Sequence, residues 1–146
     1  MKQSVELVAL VVVGTLVGAE FAVAAFLRPI FDRLPDDAFR VARGGGAGLM
    51  GKVMPFWYVA SFALLAVLVA VVGSQRWLIG AGVALMAAVV VLSVAVLVPI
   101  NNKIAAWRTA DDVSRALAAR WDRLHWVRVA MLAVIFVLLA VGVVNV

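Results

Sequence analysis

WLIGAGVALMAAVVVLSVAVLVPINN, residues 77–102, carries no charged side chain. Coiled as a helix it outspans the roughly 30 Å of bilayer hydrocarbon, which about 20 residues cross. Three other stretches share its character. Leu7 to Leu27 is apolar except for Glu20, and Val53 to Gln75 is uncharged. Val129 to Val146 is uncharged too, and extending it back to Leu124 admits only Arg128 as a charge. Valine and alanine dominate all four, and in lipid every backbone group must bond internally, so helix is forced. The reading is an all-α, four-transmembrane-helix, up-down bundle. It is a single membrane domain over residues 1–146, with spans at about 5–27, 53–74, 77–100 and 124–145.

Composition agrees. Of 146 residues 66% are hydrophobic and 14% charged, with mean hydropathy +1.13. A soluble fold of this size cannot hide so much apolar surface. The absence of cysteine excludes disulfides, thiolate metal sites and a cysteine nucleophile. The net charge of +5 fits basic residues flanking spans, and no basic stripe interleaved with aromatics suggests nucleic acid.

The cations fall unevenly. Residues 28–52 and 103–128 hold eleven Lys and Arg, against Lys2 and Arg76 elsewhere. The positive-inside rule then puts both long connections in the cytoplasm and both termini outside, in the cytoplasmic membrane. Span one is not read as a cleaved signal, because Glu6 offsets Lys2 and Glu20 falls at the cleavage region. The second connection is a tight turn around Ser74–Arg76. In the first, Gly46, Gly51 and Lys52 imitate a phosphate-binding loop, but Val53 stands where Ser or Thr is needed and no strand precedes it. It is expected to be a flexible linker after a short amphipathic piece, Asp36 to Val41. In the third, Thr109 with Asp111 and Asp112 reads as a helix start, so helix four extends into the cytoplasm from near Ala110.

Few polar groups lie at membrane depth. Glu20 sits seven residues before Leu27, where an ionisable group costs about 2.5–3.5 kcal/mol without a partner. It should point into the bundle toward a cation, with Arg128, His125 and Arg28 as candidates. Trp121, His125 and Arg128 share one helix face within WDRLHWVR, residues 121–128, and His125 is the chain's one histidine. Pro99 weakens its helix. Asn101 is expected to serve the buried polar layer and Asn102 to cap the helix. The tryptophans read as interface anchors, with Trp107, Trp121 and Arg28 as secondary substrate-binding candidates. Gly14 and Gly18 form a small-residue stripe suited to close helix approach and oligomerisation.

VPINNKIAAW, a spacer, then WDRLHWVR before a final apolar span resembles the signature of the anthrone-oxygenase-like family of small four-helix membrane proteins. Pro99, Asn101, Trp121, the His125–Arg128 pair and the Arg28–Pro29 close of span one carry the likeness; Glu20 is not assigned by it. The resemblance implies oxidation by dioxygen of a lipophilic aromatic or quinone-like substrate, without an obvious redox cofactor. On that footing His125 is a candidate base, Glu20 its orienting group, and Asn101 and Arg128 the holders of an enolate oxygen. No metal site is expected, and haem would have only His125 as an axial ligand. The alternative from another class is a non-catalytic accessory subunit or small carrier, in which Glu20–Arg128 is a structural tie.

Overall fold

The computed structural model describes residues 2–73 and 75–144, so the expected turn at Ser74 falls outside the described residues. Four long helices carry the fold: α1 (Lys2–Asp32), α2 (Asp36–Val71), α3 (Arg76–Ala105) and α4 (Arg115–Val144). They run up and down, each packed on its chain neighbours, and α4 closes the ring against α1. No strand is present among the described residues. Each helix is 30 to 36 residues long. At about 1.5 Å per residue all four outreach the hydrocarbon layer.

The core follows from helical spacing. Ala9, Val13, Leu16 and Glu20 form the buried stripe of α1, and Leu132, Ile135 and Leu139 that of α4. Leu65 and Leu68 of α2 and Ile79, Met86 and Val89 of α3 complete the apolar half. The outer faces stay exposed and valine-rich, as suits lipid. Two glycines sit at close approaches. A Cβ on Gly142 would meet Ile79 Cγ1 at 3.1 Å, and one on Gly14 would meet Phe136 Cε2 at 3.0 Å. Gly14 is therefore spent on packing inside the chain, while Gly18 has open space around it.

Two expectations about the connections are corrected. The glycine-rich stretch 43–53 is no flexible linker: it lies within α2, which begins at Asp36 and runs on through Pro55. Pro35 ends the turn, and Asp36 and Asp37 in the first turn favour the positive helix start. The linkage between α1 and α2 thus shrinks to residues 33–35. Nor does α4 start at Ala110 and run unbroken. Ala110–Asp112 makes one 3-10 turn, the chain extends at Val113, and α4 begins at Arg115. Ser114 makes a second helix start, its Oγ accepting from the Leu117 N–H at 3.2 Å. Thr109 starts only the first turn, where its N–H and that of Arg108 both donate to Asp112 Oδ2 at 2.8 Å. Those donors hold the Asp112 carboxyl below the usual carboxylate range. Arg115 then ties this corner to the other: its guanidinium donates to Asp36 Oδ1 at 2.7 Å and to the Leu34 carbonyl at 2.6 Å, and lies over the Phe39 ring.

Helices α1 and α3 share one irregularity. Val23–Leu27 and Ser93–Leu97 are wide π turns, in which the N–H of Arg28 reaches Val23 O and that of Val98 reaches Ser93 O. Each is followed, one residue on, by a proline, Pro29 or Pro99. Proline offers no N–H and its ring crowds the carbonyl four residues back; widening the preceding turn relieves the clash without breaking the helix. Asn102 therefore caps nothing, since α3 continues to Ala105.

Candidate functional site

α1, α2, α3 and α4 each bring one or more polar groups to a common level of the bundle. Glu20 is 2% exposed. Its Oε2 accepts from Arg128 Nη2 at 2.8 Å, and its Oε1 accepts from the Tyr58 hydroxyl at 2.6 Å. His125 Nδ1 stands 3.3 Å from Glu20 Oε2. Arg128 also reaches Ser93 Oγ at 3.3 Å, at the head of the α3 π turn. The buried carboxylate thus has its cation, and three of the four site residues read from the sequence meet.

The imidazole's hydrogen bonds fix its tautomer. Nε2 is 3.0 Å from the Glu20 backbone carbonyl, and Nδ1 is 3.0 Å from Arg128 Nη2. A carbonyl only accepts and a guanidinium only donates, so Nε2 bears the proton and Nδ1 presents its lone pair. Neither nitrogen is left over for iron, and the residues here do not fit a haem ligated by His125. Among the described residues, no group of three or more His, Asp or Glu side chains could hold a metal ion.

The cluster forms one wall of a cavity of about 760 Å³. Glu20, Tyr58, Ser93, His125 and Arg128 make the clustered part of its polar lining, and Met54, Val59, Phe62, Val90, Val91 and Val94 belong to its apolar part. Helix α2 packs against Arg76–Leu92 and again against Val98–Ala105 of α3, and the space lies between those contacts. Exposed Val59, Phe62, Val90, Val91 and Val94 rim it, so it opens sideways onto the lipid-facing surface.

The other sequence candidates separate. Asn101 lines the same cavity but is not in the cluster. It donates from Nδ2 to the Ala47 carbonyl at 3.4 Å, and it lies eight residues beyond Ser93, about 12 Å along the helix. Trp121 lines the cavity, stacks on His125 at 4.7 Å and donates from Nε1 to the Leu97 carbonyl at 3.2 Å. That indole, rather than an asparagine amide, meets the carbonyl ending the π turn. Arg28 does not pair with Glu20. Its Nε is 3.3 Å from Asp122 Oδ1, and its guanidinium lies 4.1 Å over Trp121. Trp107 is absent from the cavity wall because it stacks on Phe39 near the Arg115 corner.

Besides Ser93, two participants lie outside the sequence reading. Tyr58 is the chain's one tyrosine, in an uncharged span at the depth of Glu20, and that singularity is the available signal. The second is the Arg43–Asp122 pair. Arg43, with no exposed side chain, donates two hydrogen bonds to the Asp122 carboxylate, at 2.8 and 3.1 Å. Reading the 43–53 stretch as linker hides it.

Neither the curated proteins nor the solved structures yielded a match to the chain. A family description did: anthrone oxygenase matches residues 39–138, more than half of the chain, and includes Tyr58, Asn101, Trp121, His125 and Arg128. With four apolar helices and that match, the protein is an integral membrane member of the anthrone oxygenase family.

Proposed function

We propose that this protein oxidises an activated methylene of a lipophilic aromatic to a ketone with dioxygen, the substrate entering sideways from the bilayer. One observation carries the reading: the Glu20–Tyr58–His125–Arg128 cluster walls a cavity that opens between α2 and α3. The basic end of the bundle, bearing eleven of the thirteen Lys and Arg, faces the cytoplasm on this reading.

The chemistry follows from who donates to whom. A substrate carbonyl oxygen near Arg128 draws the guanidinium hydrogens, which frees the Nδ1 lone pair of His125. Nδ1 takes a proton from the methylene; Glu20 Oε2, 3.3 Å away, stabilises the imidazolium that results. Arg128 holds the enolate oxygen in a site of low dielectric, where such a contact counts most. The carbanion passes one electron to dioxygen, and the radical pair joins into a C–O bond. The peroxide takes up the proton, the second C–H is lost and the O–O bond breaks. The methylene thus gives both hydrogens to one oxygen atom, released as water, and keeps the other atom as its ketone oxygen. Carbon loses four electrons and dioxygen gains them, so no further reductant is needed.

The second reading is a membrane protein without chemistry of its own. It is favoured by one fact: both Glu20 oxygens and both His125 nitrogens already have partners within the cluster. Oxidation of 1,8-dihydroxyanthrone by protein in lipid nanodiscs separates the two. With His125→Ala the rate is expected to drop by about 100-fold or more. An unchanged rate removes His125 from the reaction, and no oxidation above the uncatalysed rate by the wild type leaves the second reading standing.

A further inference from the structure

Arg28 and Arg43 share one carboxylate, Asp122. Arg43 takes both Asp122 oxygens, in two near-ideal hydrogen bonds. Arg28 is left with an ion pair at 3.3 Å, and among the described residues nothing accepts a hydrogen bond from its Nε. Its side chain is 15% exposed, and it lines the main cavity and a second pocket of about 60 Å³ beside it. A cation so enclosed with half a counter-ion is costly until an anion joins it. It is also held in place, because its guanidinium lies on the face of Trp121.

The separation from the cluster is short. Arg28 lies 4.1 Å from the Trp121 ring, and that ring lies 4.7 Å from the imidazole, so guanidinium and imidazole are at most about 9 Å apart. Both border one cavity. A rigid aromatic with its reacting carbon at His125 would bring a substituent on its outer ring to Arg28.

The geometry points to Arg28 as an anion subsite, which takes a carboxylate or phosphate on the outer ring of an aromatic substrate. This rests on the proposed function for the word substrate, but the subsite itself is defined by charge. The same chemistry could come from an anionic lipid headgroup, and the test keeps the two sources apart.

Three probes suffice: 1,8-dihydroxyanthrone, its 3-carboxylic acid and the methyl ester of that acid. Binding is read by tryptophan fluorescence under anaerobic conditions, in nanodiscs of phosphatidylcholine alone. The acid is expected to bind about tenfold more tightly than the ester. Arg28→Gln should abolish that preference, Arg28→Lys should restore part of it, and affinity for the unsubstituted anthrone should hold in both. Adding phosphatidylglycerol assigns the source. Competition with the acid in wild type but not in Arg28→Gln means that a headgroup uses the subsite; no competition means that it serves the substrate. Equal affinity of acid and ester in the wild type overturns the proposal, as does Arg28→Gln weakening all three probes alike. Turnover is scored separately in air: a preference for the acid without oxidation sinks the oxygenase reading and leaves the subsite, and oxidation without preference does the reverse.

Discussion

Two carboxylates, the buried Glu20 and the half-buried Asp122, each hold arginine, and they are built to opposite ends. Glu20 is matched one to one by Arg128, then surrounded by groups that both donate and accept, namely Tyr58 and His125. Asp122 is outnumbered two to one by arginines that only donate. A proton can move in the first cluster, and only charge can be held in the second. The difference teaches that depth alone does not mark chemistry; what matters is whether the partners of a buried acid can themselves give and take protons.

Substitutions can break that contrast, the largest effect coming from the deep pair. Arg128→Met leaves Glu20 charged and unpaired, and should cost about 3–5 kcal/mol in a detergent unfolding titration. Adding Glu20→Gln should recover much of the loss, because no bare charge then remains. Asp122→Asn strips Arg43 of its partner, and a loss of about 2–4 kcal/mol is expected. If the clusters differ as described, the anthrone oxidation rate should suffer far less in this variant than in Arg128→Met. Tyr58→Phe removes one hydrogen bond to a charged acceptor, worth about 1.5–3 kcal/mol, and tests whether the hydroxyl matters beyond stability. A normal rate in a destabilised Tyr58→Phe would confine Tyr58 to packing.

The smallest effect lies outside both clusters. The folded-state pKa of Asp112 is lowered, first by the Thr109 N–H and then by that of Arg108. Its contribution to stability is therefore present above the unfolded carboxylate pKa near 4, and lost as pH falls through the lower folded value. Asp112→Asn should unfold slightly earlier than wild type at pH 7, with the gap closing toward pH 2. A gap that widens in acid would reverse the assignment.

Much of this is legible in the residues. Uninterrupted apolar runs leave one solution in lipid, so four helices follow, and Glu20 names its own need for a cation. Tyr58 is not legible as a site, because an apolar ring in an apolar run reads as packing until its hydroxyl is seen on Glu20. Helix ends fail for a different reason. Arg43 lies in a glycine-rich stretch that reads as linker, and only its burial against Asp122 shows that it belongs to a helix. Sequence neighbourhood groups Asn101 and Trp107 with the cluster, whereas a long helix spreads neighbours along its axis. A further clue is repetition. Leu27-Arg28-Pro29-Ile30 and Leu97-Val98-Pro99-Ile100 repeat one pattern, and Asp36-Asp37 with Arg40 is echoed by Asp111-Asp112 with Arg115. The first echo marks the two wide turns.

Those turns settle a matter of phase. In an ordinary helix, positions eight apart are about 80° out of alignment, at roughly 100° per residue. Five residues wound at about 4.4 per turn take back nearly all of that angle. Glu20 with Arg28, and Ser93 with Asn101, therefore look into one chamber from successive storeys of the same column. Straightening either turn into ordinary helix with no residue removed would swing the upper storey by about 80°, whereas deleting one residue with it would leave seven steps of roughly 100° and keep the two storeys nearly in line.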